Sequence, residues 1–103
     1  MNLGGIKVSS AEIERVVNAI EGVEETAAIA VAPSSGGPSQ LVVYAVLAHA
    51  IEDLPAILQE TIRRQLNPLF KIKDVVLAES LPRTASNKVM RRVLRDQYAQ
   101  RPA

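Results

Sequence analysis

Apolar and polar positions alternate along this chain with two different periods. Behind Ser9-Ser10-Ala11-Glu12, the residues Ile13, Val16, Val17 and Ile20 recur at the spacing of one helical stripe. The S-x-x-E pattern in front of them is a capping box, with Ser9 as N-cap and Glu12 reaching back. Gly22 is a stop signal, so the pattern predicts a helix over about residues 10–21. Two nearly continuous apolar runs follow, Thr26 to Ala32 and Leu41 to Ala48, separated by a loop rich in Gly, Pro and Ser. They read as an antiparallel pair, central or covered on both faces, because neither leaves a polar side for water.

The helical period returns at Leu54, Ile57, Leu58, Ile62 and Leu66, with Asp53 expected as its cap and Pro68 as its end. Pro55 is tolerable there because it lies in the first turn. Asp74 to Ala78 predicts a third strand. A polar loop from Glu79 to Asn87 leads to a last helix, expected from about residue 87, with Met90, Val93, Leu94 and Tyr98 inward. The order helix-strand-strand-helix-strand-helix implies a small α+β domain: a short mixed sheet of about three strands with flanking helices, three-layer-like, spanning residues 1–103 as one unit.

Composition narrows the function. A chain of 103 residues buries one modest core and leaves little room for an internal active site, so a catalytic role would be played at an interface. Cysteine is absent and histidine occurs once, which removes disulfides and thiol nucleophiles and argues against an internal metal site. The net charge of +1 gives no global field for nucleic acid. No apolar run approaches the ~20 residues needed to cross a bilayer. The opening residues lack a secretory pattern, and the expectation is a cytoplasmic protein.

Two segments carry residues suited to chemistry. In Leu3-Gly4-Gly5-Ile6-Lys7-Val8, paired glycines let a ligand or another chain approach the backbone, with Lys7 beside them on a short strand; a plain turn is the other reading. In Leu81-Pro-Arg-Thr-Ala-Ser-Asn-Lys88, Pro82 stiffens a loop in which Thr84, Ser86 and Asn87 suit turns and caps. Lys88 then falls at the expected helix start. A cation there opposes the macrodipole, so it is explained either by an anion that it meets or as a solvated surface lysine. Arg91, Arg92 and Arg95 read as a solvated helix face partly docking acids elsewhere, with a nucleic-acid patch as the rival. His49 reads as structural or surface.

Together the two segments resemble a known family. Gly5-Ile-Lys-Val-Ser-Ser-Ala-Glu12-Ile-Glu14 resembles the motif that opens the C-terminal domain of adenylate-forming enzymes, the superfamily of acyl-CoA synthetases, peptide-synthetase adenylation domains and luciferases. Leu81-Pro-Arg-Thr-Ala-Ser-Asn-Lys88-Val-Met-Arg-Arg92 resembles the family's last motif, Pro-(Arg/Lys)-Thr-x-(Ser/Thr)-Gly-Lys followed by a basic pair. The resemblance implies an acid-thiol ligase that makes an acyl-adenylate from a carboxylic acid and ATP with Mg2+, then passes the acyl group to coenzyme A. The phrasing of the first motif is nearer the acetyl- and short-to-medium acyl-CoA synthetases than the peptide synthetases.

By the same resemblance, Lys88 is the lysine that enters the site for adenylation, on a loop with Thr84, Ser86 and Asn87. Gly4 and Gly5 would line the pantetheine path, and Lys7 could meet phosphates of coenzyme A. Two departures stand out: Asn87 replaces the glycine before the lysine, and the ATP-binding domain, expected before Met1, is not in this sequence. The chain alone is therefore expected to be inactive, with no ligand bound to it and with the N-terminal adenylation domain as its partner. A free-standing lid that complements or regulates a separate domain, a piece of a peptide synthetase, and a small nucleic-acid binder remain as rivals.

Overall fold

The computed structural model describes residues 2–3, 6–33 and 36–100. Gly4 and Gly5, singled out above, lie outside the described residues. A short antiparallel pair, β1 (Asn2–Leu3) and β2 (Ile6–Lys7), comes first. Helix α1 (Ser10–Asn18) follows, then β3 (Val23–Val31) and β4 (Gln40–Leu47), helix α2 (Leu54–Gln65), β5 (Ile72–Leu77) and helix α3 (Arg91–Ala99). The main sheet has the order β3-β4-β5; β3 and β4 are antiparallel, while β5 runs parallel to β4. The expected α+β architecture and its element order are therefore present.

Strand periodicity explains the layers. Leu41, Val43 and Ala45 join Ile13 and Val17 of α1 and Leu54, Leu58 and Ile62 of α2 in one core. Val42, Tyr44 and Val46 point the other way and join Leu81 and Leu94 of α3 in a second core. β4 thus lies between two apolar layers, which is why its sequence alternates so little. Gln59 on α2 ties the turn into β5: its amide donates to the Phe70 carbonyl at 2.7 Å and its Oε1 accepts from the Ile72 N–H at 2.7 Å.

β3 and β5 begin earlier than expected, at Val23 and Ile72, and the helix ends differ as well. Helix α1 ends at Asn18 rather than 21, because the chain turns through Gly22, whose φ of 91° suits glycine, and β3 starts at Val23. Ser9 does cap α1, its Oγ accepting from the Glu12 N–H at 3.1 Å. Asp53 makes no side-chain cap on α2; it takes a left-handed φ of 54°, outside the extended geometry of a capping residue. Pro55 also lacks one of the N–H groups that such a cap would reach. Helix α3 starts at Arg91, not 87, for a reason that lies in the loop before it.

Candidate functional site

The segment from Arg83 to Val89 is a hairpin, not a helix start. Arg83 and Val89 form an antiparallel bridge, and the Met90 N–H donates to the Pro82 carbonyl at 2.8 Å. Inside it, the Asn87 N–H donates to the Thr84 carbonyl at 2.9 Å, and the Thr84 N–H donates to the Lys88 carbonyl at 2.8 Å. Asn87 closes the turn at φ 70°, in the left-handed region. A turn followed by a left-handed residue is the geometry in which glycine is usual and asparagine is the best-tolerated substitute. The Gly-to-Asn departure noted in the sequence is thus accommodated by the backbone.

This overturns the reason first given for Lys88. It belongs to the hairpin and precedes Met90, the N-cap of α3, by two residues, so it does not begin the helix. Instead it leaves the turn as an exposed side chain, three residues before α3. The Thr84 Oγ accepts from the Lys88 N–H at 3.2 Å and lies 3.0 Å from the Ser86 Oγ. Thr84, Ser86, Asn87 and Lys88 are therefore brought together, and the small polar residues shape the turn that carries the lysine. Among the described residues no salt bridge reaches the Lys88 ammonium.

Leu3, of the opening segment, lies elsewhere. It shares a surface groove with Leu41, Leu69, Lys71 and Ile72, at the end of the sheet where β4 and β5 begin. The Lys88 hairpin is bound to the opposite end, through an ion pair between Arg83 and Glu25, which is paired with Val46. From Leu41 to Val46 along a strand is roughly 17 Å at ~3.3 Å per residue. Lys7 is exposed on β2, on the side of the opening segment.

Arg91 is the α3 arginine that docks an acid elsewhere, while the other two stay solvated. Its guanidinium donates to both Glu14 carboxylate oxygens, at 2.6 and 2.7 Å from one nitrogen and 3.1 Å from another. Glu14 Oε2 also accepts the Ala28 N–H of β3 at 2.9 Å. Arg92 and Arg95 remain exposed. With Arg91 neutralised, the basic face imagined for nucleic acid loses one of its three charges. His49 is exposed, with its Nδ1 3.1 Å from the Ala50 carbonyl oxygen, and its ring packs over Gly22. Among the described residues, no group of three or more His, Cys, Asp or Glu side chains could hold a metal ion. Sequence reasoning missed Arg83, Glu25 and Glu14 as parts of the site's frame. The only local signal was that Arg83 and Glu14 stand inside the two motifs.

A layered domain of this topology, with a braced lysine hairpin at one end, matches a known class. The family model for the AMP-binding enzyme C-terminal domain matches residues 12–88, ending on Lys88 itself. This chain belongs to that family. It is 54% identical to the probable acyl-activating enzyme 17, peroxisomal, of Arabidopsis thaliana, an alignment covering 97% of this chain and 15% of the relative. It is 50% identical to the hexanoyl-CoA synthase of Cannabis sativa, covering 96% of this chain and again 15% of the relative. Among solved structures, a Mycobacterium tuberculosis fatty acyl CoA synthetase superposes with a TM-score of 0.80 at 30% identity, over 96% of this chain and 19% of that one. The chain thus spans about 15% of the length of these plant relatives.

Proposed function

We propose that this chain is the mobile C-terminal lid of an AMP-forming acyl-CoA synthetase and that Lys88 is its adenylation lysine. The observation that carries the reading is the placement of Lys88: an exposed, unneutralised ammonium presented by a hydrogen-bonded hairpin at one end of the family's fold. A large domain preceding this chain would bind ATP, Mg2+ and the acid. In the first step a carboxylate oxygen bonds to the α-phosphorus of ATP while the bond to the bridging oxygen breaks and pyrophosphate leaves. Two anions are joined, and charge builds on the phosphoryl oxygens. A cation held in place offsets that repulsion, and because the hairpin is already ordered it need not be reorganised during reaction. Mg2+ would supply further charge neutralisation from the large domain.

In the second step the thiol of coenzyme A loses its proton and attacks the acyl carbon, and AMP leaves. The opening segment, with Gly4, Gly5 and Lys7, is assigned to this step. The position of Leu3 beside them supports the assignment: Leu3 lies at the end of the sheet away from Lys88, so one rotation of the lid can present one end or the other. A relative named hexanoyl-CoA synthase supports a short-to-medium acyl substrate.

The test uses a full-length enzyme in which an ATP-binding domain precedes this chain. Lys88→Ala should reduce carboxylate-dependent ATP–pyrophosphate exchange by on the order of 100-fold or more, as loss of a positioned charge does. Thioester formation from a supplied acyl-adenylate should persist. Equal loss in both steps would remove the assignment. Gly5→Leu should do the reverse, sparing exchange and slowing the thiol step.

A further inference from the structure

Among the described residues, the polar tie from the hairpin that carries Lys88 to the sheet is the side chain of Arg83. Arg83 is split between two acceptors: one guanidinium nitrogen donates to the Asn87 carbonyl at 2.9 Å, and another pairs with the Glu25 carboxylate. Asn87 is the left-handed residue directly before Lys88. Glu25 lies on β3 beside the irregularity in its pairing with β4, where register shifts between Val23 and Glu25. Arg83 and Glu25 are each about one-third exposed, so their charges are partly shielded from solvent. The chain of contacts runs from the sheet through Glu25 and Arg83 to the peptide unit joining Asn87 to Lys88.

We infer that Glu25 and Arg83 are a positioning pair that fixes the aim of Lys88 for adenylation. The inference rests on the role proposed above for Lys88. The hairpin's own bonds, Thr84 to Lys88 and Asn87 to Thr84, set its internal shape but not its orientation on the domain. Its apolar footing is Leu81 and Val89, which pack into the α3-side core at its base, not its tip. Orientation of the tip about that base is left to the fork of Arg83, whose planar donors suit two acceptors in fixed directions. The ammonium stands at the end of a long side chain, so a small rocking of the hairpin about its base displaces it more than the backbone. Displacements of about 1 Å in a catalytic group can cost on the order of 100-fold in rate. Neither Glu25 nor Arg83 is expected to touch substrate; both act through Lys88.

The experiment compares Glu25→Gln, Arg83→Met, their double variant and Lys88→Ala in a full-length enzyme with an ATP-binding domain ahead of this chain. Three readouts are taken: ATP–pyrophosphate exchange, thioester formation from a supplied acyl-adenylate, and the thermal midpoint. Each single variant is expected to lower kcat for exchange by on the order of 10- to 100-fold. KM for ATP and acid and the thioester step should stay within about twofold, and the midpoint should move by only a few degrees. The double variant should lose no more than the worse single one, because both break the same linkage. Arg83→Lys, which keeps a charge beside Glu25 but loses the fork to the Asn87 carbonyl, should recover only part of the exchange rate. Unchanged exchange, additive losses, or equal loss in both half-reactions with a falling midpoint would each overturn the positioning role. If Lys88→Ala itself leaves exchange intact, the underlying reading fails first; if only Lys88→Ala abolishes it, that reading stands and the positioning pair falls.

Discussion

Glu14 and Arg91, separated by 77 residues, meet in a two-pronged ion pair in which the same carboxylate also caps the Ala28 N–H. Glu14 stands in the opening motif and Arg91 in the closing one, so a single contact fastens the start of the domain to its end. The acceptor matters more than the charge. Ala28 is fully buried on β3, an edge strand of the sheet, and its N–H has this carboxylate as partner. Glu14→Ala leaves that donor and a half-buried guanidinium without partners, and should cost about 2–3 kcal/mol. Arg91→Met leaves the Ala28 bond in place and should cost less, about 1 kcal/mol. Urea midpoints at unchanged m would read both values.

Asn87 predicts its own substitution pattern. At φ 70° a β-branched residue is strained, so Asn87→Val should lower stability by about 1–2 kcal/mol. Asn87→Gly, which restores the residue that the family motif carries, should leave stability within about 0.5 kcal/mol of wild type. Chemical denaturation of the three forms separates them.

Gly22 is constrained by its backbone and by a neighbour. Its φ is 91°, and a Cβ built there would lie 2.9 Å from the His49 ring and 3.1 Å from Ile51. Because His49 is exposed, its ring can swing aside, and most of the penalty should come from φ. Gly22→Ala should therefore cost about 1–2 kcal/mol, and adding His49→Ala should recover only a minor part. A recovery of most of the loss in the double variant would shift the cause to the ring.

Glu60 on α2 accepts two hydrogen bonds from Arg63, at 2.9 and 2.7 Å, and these hold its carboxyl below the usual carboxylate range. The lowered value means that the pairing contributes fully above the ordinary carboxylate pKa. The contribution disappears as pH falls through the folded-state value. Both groups are solvent-exposed, so the effect is small and salt-sensitive. Wild type should melt slightly above Glu60→Gln at neutral pH and low salt, and the two curves should converge in acid. A difference that grows in acid would reverse the sign argued here.

Much of this fold can be read along the chain, and what cannot has a common cause. The apolar stripe behind Ser9 and the unbroken apolar run of β4 are local signals, and both elements form there, α1 stopping three residues short of its pattern. Asp53 and residues 87–90 were misleading because each also fits a turn. At Asp53 the left-handed backbone prevailed, and at Asn87 the hairpin bonds of Thr84 and Lys88 used residues that would otherwise begin a helix. Thr84, Ser86, Asn87 and Lys88 were visible as one loop, although the reason first attached to Lys88, a helix terminus, was wrong. The partners in Arg83–Glu25 and Arg91–Glu14 could not be named, since residues 58 and 77 apart leave no periodicity, although acids for the α3 arginines were expected.

The placement of the Leu3 groove and the Lys88 hairpin at opposite ends of β4 has a consequence for timing. On the proposed function, the central strand acts as a rigid spacer that makes the two half-reactions take turns. A lid that engages by one end holds the other out in solvent, so neither segment can be tuned to assist while its counterpart is at work. A molecule that trapped the hairpin end against the ATP-binding domain would silence the thiol step without touching the path of coenzyme A, simply by never releasing the shaft.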